Sequence, residues 1–303
     1  MKKFCCICKQ KVNRERFLEN GKDLEYQAPG MFSQIKCSQC GLVSMDPMPH
    51  LEKILSFYPH DYHGYQPPAS RLTKFLIEHN LRARAQHYQR LIGNTGAILD
   101  VGAADGAHFD IWKKSGAWTL HGLEFKDKIA QNARAHGRDV ATATIETYNP
   151  GGKKFKLIIM NHLLEHVIDP LETASRAYNL LEPRGVFIGE TPNIRSLDFW
   201  IFRKYWGGCH WPRHLHQFDP KSMRAMLEKA GFVNIRFHYP LHTGHWALSI
   251  QNFLQSKKLT RSKLSYGRTR YYPLLLFLFA PINLIQKLFG ITGIMGFTAQ
   301  KPQ

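Results

Sequence analysis

From Ala97 to His238, short apolar runs alternate with amphipathic stretches of helical period. The runs are AILDV (97–101), WTLHGLE (118–124), DVATA (139–143), FKLIIMN (155–161), VFIGE (186–190) and FVNIRFH (232–238). Helical stretches lie between them over 105–115, 127–136, 169–181 and 219–230, the last closed by Gly231. Strands separated by one helix each form βαβ units, whose crossovers leave the strands parallel and cover both faces of the sheet. The pattern predicts an α/β, Rossmann-like, doubly wound fold. IMGFTAQ (294–300) reads as a last strand.

The first turn carries the chemistry. In ILDVGAADGAHF (98–109), Asp100 ends a strand, and Gly102 and Gly106 follow before a helix. Glycine allows a tight turn and close approach of backbone to a ligand, and a helix start offers free N–H groups. Glu124 ends the second strand 18 residues after Gly106. An acid there can accept from ribose hydroxyls; it can also simply charge the start of the helix at 127.

These residues resemble the class I S-adenosylmethionine-dependent methyltransferases, in the group called methyltransferase domain type 23. The matching features are D-x-G-x-x-x-G at Asp100–Gly106, Glu124, FKLIIMNHLLEHVIDP (155–170), LLEPRGVFIGETPN (180–193) and PRHLHQFDPKSMRAMLEKAGF (212–232). The resemblance covers about residues 90–240 and the final strand. It implies S-adenosylmethionine as cofactor. Gly102, Ala103 and Gly106 would line its methionine part, and Asp100 would steady that loop or the cofactor's amino group. Glu124 would hold the ribose, and Asn161 would stand near the methyl group. Ala104 replaces a glycine found in many members. No G-x-x-x-x-G-K-[ST] occurs, so a P-loop is excluded.

Methyl transfer from a sulfonium is an in-line displacement. The protein must align the acceptor and, for a hydroxyl or an acidic carbon, remove a proton. Histidine suits that task near neutral pH. His162 and His166 follow the fourth strand in NHLLEH, at the edge where open α/β sheets bind ligands; His210, His214 and His216 lie in CHWPRHLH. The candidates for the base are His162, His166 and His214. Each has a structural alternative as a capping or packing residue. Arg213 is a candidate for a phosphate or carboxylate. Aromatic residues over 197–211 read as lid packing.

Five of the six cysteines fall within residues 1–50. The N-terminal apolar run of MKKFCCICKQK is five residues, too short for the core of a signal peptide. Reduced thiols and a metal are therefore expected rather than a disulfide framework. Cys5-x-x-Cys8 and Cys37-x-x-Cys40-Gly41 form two knuckles whose four thiolates suit tetrahedral, structural zinc. CSQCGLVSMDPMP and YPHDYHGY resemble zinc-bearing N-termini of methyltransferases in sugar and surface-polysaccharide pathways.

The chain carries 41 Lys and Arg against 23 Asp and Glu. From Ile201 onward there are 15 basic residues and two acids, Asp219 and Glu228. Such a face attracts anionic lipid, nucleic acid or a phosphorylated substrate. SKKLTRSKLSYGRTR (256–270) holds six basic residues and is followed by YYPLLLFLFAPINLIQKLF (271–289). Pro281, Asn283, Gln286 and Lys287 break that run, so it reads as an interfacial hairpin or helix rather than a span. Peripheral membrane contact through 256–290 is the expectation, with a substrate-cleft cover or a dimer interface as alternatives.

Four segments result: a zinc-ribbon-like unit at 1–50, a linker and helical cap at 51–92, the methyltransferase domain at 93–240, and a basic, apolar insertion with the last strand at 241–303. In the cap, Ser70 reads as an N-cap, and Leu72, Phe75, Leu76, His79 and Ala83 as one face. The expected activity is O- or C-methylation of a glycosyl or lipid-linked small-molecule intermediate of cell-envelope or natural-product synthesis. The expected location is the cytoplasm, at the inner face of the membrane. Rival readings are an RNA methyltransferase and a non-catalytic protein on a methyltransferase fold. Against the first, NHLL stands where many base N-methyltransferases carry N-P-P-[YF]; against the second, Gly102, Gly106 and Glu124 are intact.

Overall fold

In a computed structural model, which describes residues 4–11, 16–58, 71–260 and 268–303, the apolar runs become one seven-stranded sheet. An N-terminal ribbon comes first: β1 (Arg16–Gly21), β2 (Phe32–Lys36) and β3 (Val43–Met45). Helices α1 (Leu51–Leu55) and α2 (Arg71–Ile92) lead into the main domain. There β4 (Thr95–Val101), α3 (Phe109–Trp112), β5 (Ala117–Glu124), α4 (Asp127–Ala135) and β6 (Val140–Thr142) form one half. The other half holds β7 (Phe155–Asn161), α5 (Pro170–Leu180), β8 (Leu181–Pro192), α6 (Leu197–Phe202), β9 (His216–Gln217), α7 (Pro220–Lys229) and β10 (Val233–His238). Helices α8 (Gly244–Ser256), α9 (Tyr272–Leu278) and α10 (Ala280–Leu288) precede β11 (Ile294–Gln300).

The strand order is β10-β11-β8-β7-β4-β5-β6, with β11 antiparallel to both of its neighbours. The chain winds outward from β4 in both directions, so the crevice beyond the carboxyl ends of β4 and β7 is the topological switch point. Alternation along each strand feeds two cores. Leu99, Ile158, Met160 and Phe187 pack with Ala174 and Ala177 of α5 and Met223 and Met226 of α7. Ile98, Leu157, Ile159 and Ile188 pack with Ala85 and Tyr88 of α2 and with Phe109 and Trp112. Asp169 and Asp219 cap α5 and α7, each followed by proline at the first helical position.

Several expectations change. The helix expected over 105–115 is one short turn of helix, α3, because the glycine loop consumes residues 102–108 in turns. The face expected on α2 is not the buried one. Phe75 and Leu76 are exposed, whereas Ala85 and Tyr88 are buried, since only the second half of the helix lies on the sheet. Ser70 lies outside the described residues, as do residues 59–69 of the linker and 261–267 of the basic tail, and the side chain of Leu72 is likewise not described.

The ribbon is a four-stranded sheet, β1-β2-β3-β9, whose last strand comes from the insertion after β8. Arg213 stands next to that strand. Its guanidinium donates to both oxygens of Asp23 at 2.9 Å, to the Phe57 carbonyl at 3.0 Å and to His210 Nε2 at 2.9 Å. His210 Nδ1 in turn reaches Glu25 at 3.1 Å. Arg213 is fully buried and saturated, so it ties the ribbon to the main domain and is not the anion receptor that its sequence context suggested.

Candidate active site at the carboxyl edge of the sheet

The turn after β4 is pulled onto β5. Gly102 and Ala103 donate to the Leu123 carbonyl at 2.8 and 3.0 Å. Gly122 makes room for this, because a Cβ there would meet the Ala103 Cβ at 2.8 Å. The N–H groups of Gly102 and Ala103 are thus spent on the fold. Gly102 and Gly106 take φ of 83° and 64°, left-handed values that favour glycine. Ala104 takes φ 50° in the same turn. Asp100 is buried and bound to His108 Nε2 at 2.7 Å, so it steadies the loop from below.

Glu124 is 4% exposed and lies against the turn, accepting from the Lys126 N–H at 3.0 Å. Burial raises its pKa, and the main-chain N–H groups of Lys126 and Ala104 only partly offset that. Beside it a cavity of about 520 Å³ is lined by Gly102, Leu123, Phe125, Thr144, Ile145, Leu163 and His166. Phe125, 44% exposed, presents a ring at its mouth. Phe125, Thr144 and Ile145 carry no motif of their own; the local signal is an aromatic directly after a strand-ending acid.

Asn161 does not line that cavity. It lines a second, larger cleft of about 1030 Å³ with Arg84, Arg90, Glu190, Arg236, His238 and Lys287. Arg84 pairs with Glu190 at 2.8 Å, leaving the cleft with a cationic excess. Segment 161–166 therefore borders both spaces, Asn161 on one side and Leu163 and His166 on the other.

The three candidate bases differ sharply. The His162 side chain is 44% exposed, with Nδ1 3.5 Å from Glu165 and Nε2 3.9 Å from Glu190. Loss of solvent lowers its pKa, but the adjacent Glu165 and the charge of Glu190 outweigh this, and the net shift is upward. Glu165 is fully buried and held down at about 2, its burial overcome by His162 and the neighbouring rings. His166 Nδ1 lies 3.0 Å from the Arg213 carbonyl and 2.8 Å from the Tyr58 hydroxyl. His214 is buried with Nδ1 2.8 Å from the Gly208 carbonyl. Burial lowers the pKa of both.

In the ribbon, Cys5, Cys8, Cys37 and Cys40 bring their sulfurs within 4.8 Å of one another. Two of the separations are 3.6 Å (Cys5–Cys40) and 3.5 Å (Cys8–Cys37). Four sulfurs at about 2.3 Å from one ion would stand roughly 3.8 Å apart, so the set fits a tetrahedral metal. Cys6 is buried nearby, and Cys209 is a buried free thiol whose pKa burial raises.

The strand order, the glycine turn and the buried acid that ends β5 define a class I methyltransferase fold. A family model described as a methyltransferase domain matches residues 63–236, more than half of the chain, and the chain belongs to that S-adenosylmethionine-dependent family. The ubiquinone biosynthesis O-methyltransferase of Cereibacter sphaeroides is 25% identical over 149 residues, 44% of this chain and 59% of that protein. The mitochondrial enzyme of the same name from Arabidopsis thaliana is 28% identical over 170 residues, 50% of this chain and 52% of its own. The chain thus spans a little over half the length of these curated relatives. Among solved structures, the phosphoethanolamine N-methyltransferase 2 of Haemonchus contortus, bound to phosphomonomethylethanolamine and S-adenosylhomocysteine, superposes with a TM-score of 0.50 at 17% identity. That match covers 74% of this chain and 53% of the other, and it is a likeness of fold.

Proposed function

We propose that the chain transfers a methyl group from S-adenosylmethionine to an oxygen of a small, anionic glycosyl or lipid-linked acceptor. The observation that carries this reading is the pair of cavities meeting at segment 161–166, one beside the glycine turn and the other rich in cations. S-adenosylmethionine, when bound, supplies an activated methyl group on a good leaving group. Gly102 and the wall formed by Phe125, Thr144 and Ile145 accept the cofactor, and Glu124, which is buried between the cavity-lining Leu123 and Phe125, is proposed to receive ribose hydroxyls. The cofactor's flat base has Phe125 to stack on. Arg90, Arg236 and Lys287 favour an acceptor bearing phosphate or carboxylate. The names of the curated relatives favour oxygen over carbon as the acceptor atom.

His162 is the base in this proposal. The charge of Glu165, 3.5 Å from Nδ1, stabilises the imidazolium, and Nε2 takes the acceptor's proton. Asn161 and Glu190 orient the acceptor beside it. The cysteine cluster is proposed to hold one structural zinc, which fixes the ribbon that grips Arg213.

Contact with a bilayer belongs to the same proposal. Helix α10 is inside out: Asn283 and Gln286 are buried, whereas Leu284, Ile285, Leu288 and Phe289 are more than half exposed. Gln286 accepts from Trp246 Nε1 at 2.8 Å and donates to the Ile291 carbonyl at 2.9 Å. Leu274, Phe277 and Leu278 of α9 extend the apolar face. No helix among the described residues is long and apolar enough to cross a membrane. An apolar face beside Lys257, Lys258, Arg268 and Arg270 suits the surface of an anionic bilayer.

The test is transfer of labelled methyl from S-adenosylmethionine into cell extract. Label in a nuclease-resistant small molecule or lipid fraction is the expected result. Label in RNA, or none in any fraction, contradicts the proposal.

A further inference from the structure

Glu165 is a fully buried carboxylate with little to satisfy it. Its Oε2 accepts the Thr191 hydroxyl at 3.1 Å, and its Oε1 makes no hydrogen bond, the His162 ring being 3.5 Å away. A buried anion of this kind is costly unless a cation stands against it. His166 and His214 stand beside it. One donor atom from each of the three residues lies within 4.8 Å of the others, and the two rings meet edge to face at 4.6 Å.

Each ring is held through its Nδ1. His166 Nδ1 faces the Arg213 carbonyl and His214 Nδ1 the Gly208 carbonyl. A carbonyl can only accept, so each Nδ1 carries the proton and each Nε2 keeps its lone pair. The Tyr58 hydroxyl shares the His166 proton as a second acceptor. Carbonyl partners on the outer nitrogen are what fix the tautomer and aim of metal-bound histidines.

We propose that Glu165, His166 and His214 bind one divalent transition-metal ion of the zinc, iron(II) and manganese class, distinct from the cysteine cluster. Two imidazoles with one carboxylate suit such ions better than magnesium or calcium, which prefer all-oxygen sets. Bonds of about 2.0–2.2 Å require each donor to draw in by less than about 1 Å. Glu165 and His214 are buried and His166 lines the 520 Å³ cavity, the side from which a further oxygen ligand would have to come. An oxygen bound there would lose its proton more readily. The site goes beyond the methyltransferase reading and does not depend on it.

The test uses the full chain produced in cobalt-supplemented medium, with bound cobalt counted and its absorption recorded. Thiolate ligands give intense sulfur-to-cobalt charge transfer, and nitrogen and oxygen ligands only weak visible bands. Two ions per chain are expected, one of them with the thiolate signature. His214→Ala and Glu165→Gln should each reduce the count to one and leave the thiolate bands at full strength, which also reports that the ribbon is folded. A single ion with weak bands only would uphold this site and remove zinc from the cysteines. One ion of thiolate type in the unaltered chain, or two retained in both variants, would overturn the proposal. Glu165→Gln keeps the size of the side chain, so the count remains readable in a folded protein if His214→Ala does not fold.

Discussion

Single side chains set the terms of the site. Ala104 holds a left-handed φ of 50° in the cofactor turn, a conformation that costs an L-residue about 1–2 kcal/mol. Ala104→Gly relieves this and returns part of the gain through greater freedom of the unfolded chain. The expected net is a stabilisation of about 0.5–1 kcal/mol, read from the denaturant midpoint; a destabilised variant would show that the turn is not held as described. His162 makes a second prediction. A base must be deprotonated to act, and its pKa is raised, so the rate should climb with pH through the range above 6.5. His162→Asn should lower kcat by about 10²–10⁴ and abolish that limb while leaving cofactor binding unchanged. A pH profile unaltered by the substitution would assign the proton to another group.

Elements meet through contacts far apart in sequence. Asp23 and Arg213 are both buried, and together they join the ribbon to the insertion carrying β9. Removing one partner strands a buried charge, at a cost of about 3–5 kcal/mol. Asp23→Ala should therefore lower the urea midpoint strongly, and Asp23→Leu with Arg213→Met should recover much of the loss. Equal loss in the single and double variants would show that the pair's charge is not what matters. The same contact marks where sequence reading stopped. The strands were legible because apolar runs such as FKLIIMN are bounded by turns and are buried on both faces. The helix over 219–230 was legible because its start and its closing Gly231 are local signals. The partner of Arg213 lies 190 positions away, and nothing local announces it. The face of α2 was misread because periodicity says which residues share a side, not which stretch of the helix meets the sheet. Gly102, Gly106 and Glu124 stood out as a pattern, whereas Phe125 and Ile145 became visible only once the loops were folded together.

Charge and burial act across the whole molecule. His245 is buried, with Nδ1 on the Gly293 carbonyl, and burial lowers its pKa from 6.5 to about 3. His214, His238 and His242 are lowered by the same cause. Below pH 6.5 the unfolded chain takes protons that the native chain refuses, so stability falls as pH drops. His245 alone accounts for about 3 kcal/mol by pH 4. Denaturant midpoints should decline steadily from pH 7 to pH 4; a flat profile would contradict the burial of these rings. The apolar face of α9 and α10 gives the last prediction at this scale. Leu288→Asp with Phe289→Asp should move the protein from sedimenting anionic vesicles to the supernatant, with no change in helix content. Unchanged partition would leave that face for a protein partner.

Cofactor binding is decided in the crevice beyond β4 and β5. Calorimetric titration of the full chain with S-adenosylhomocysteine addresses it directly. The unaltered chain should bind one equivalent in the micromolar range, and Glu124→Gln should weaken binding about 10- to 100-fold through loss of charge-assisted hydrogen bonds to the ribose. No heat at millimolar ligand, or equal affinity in the two proteins, would contradict the central claim.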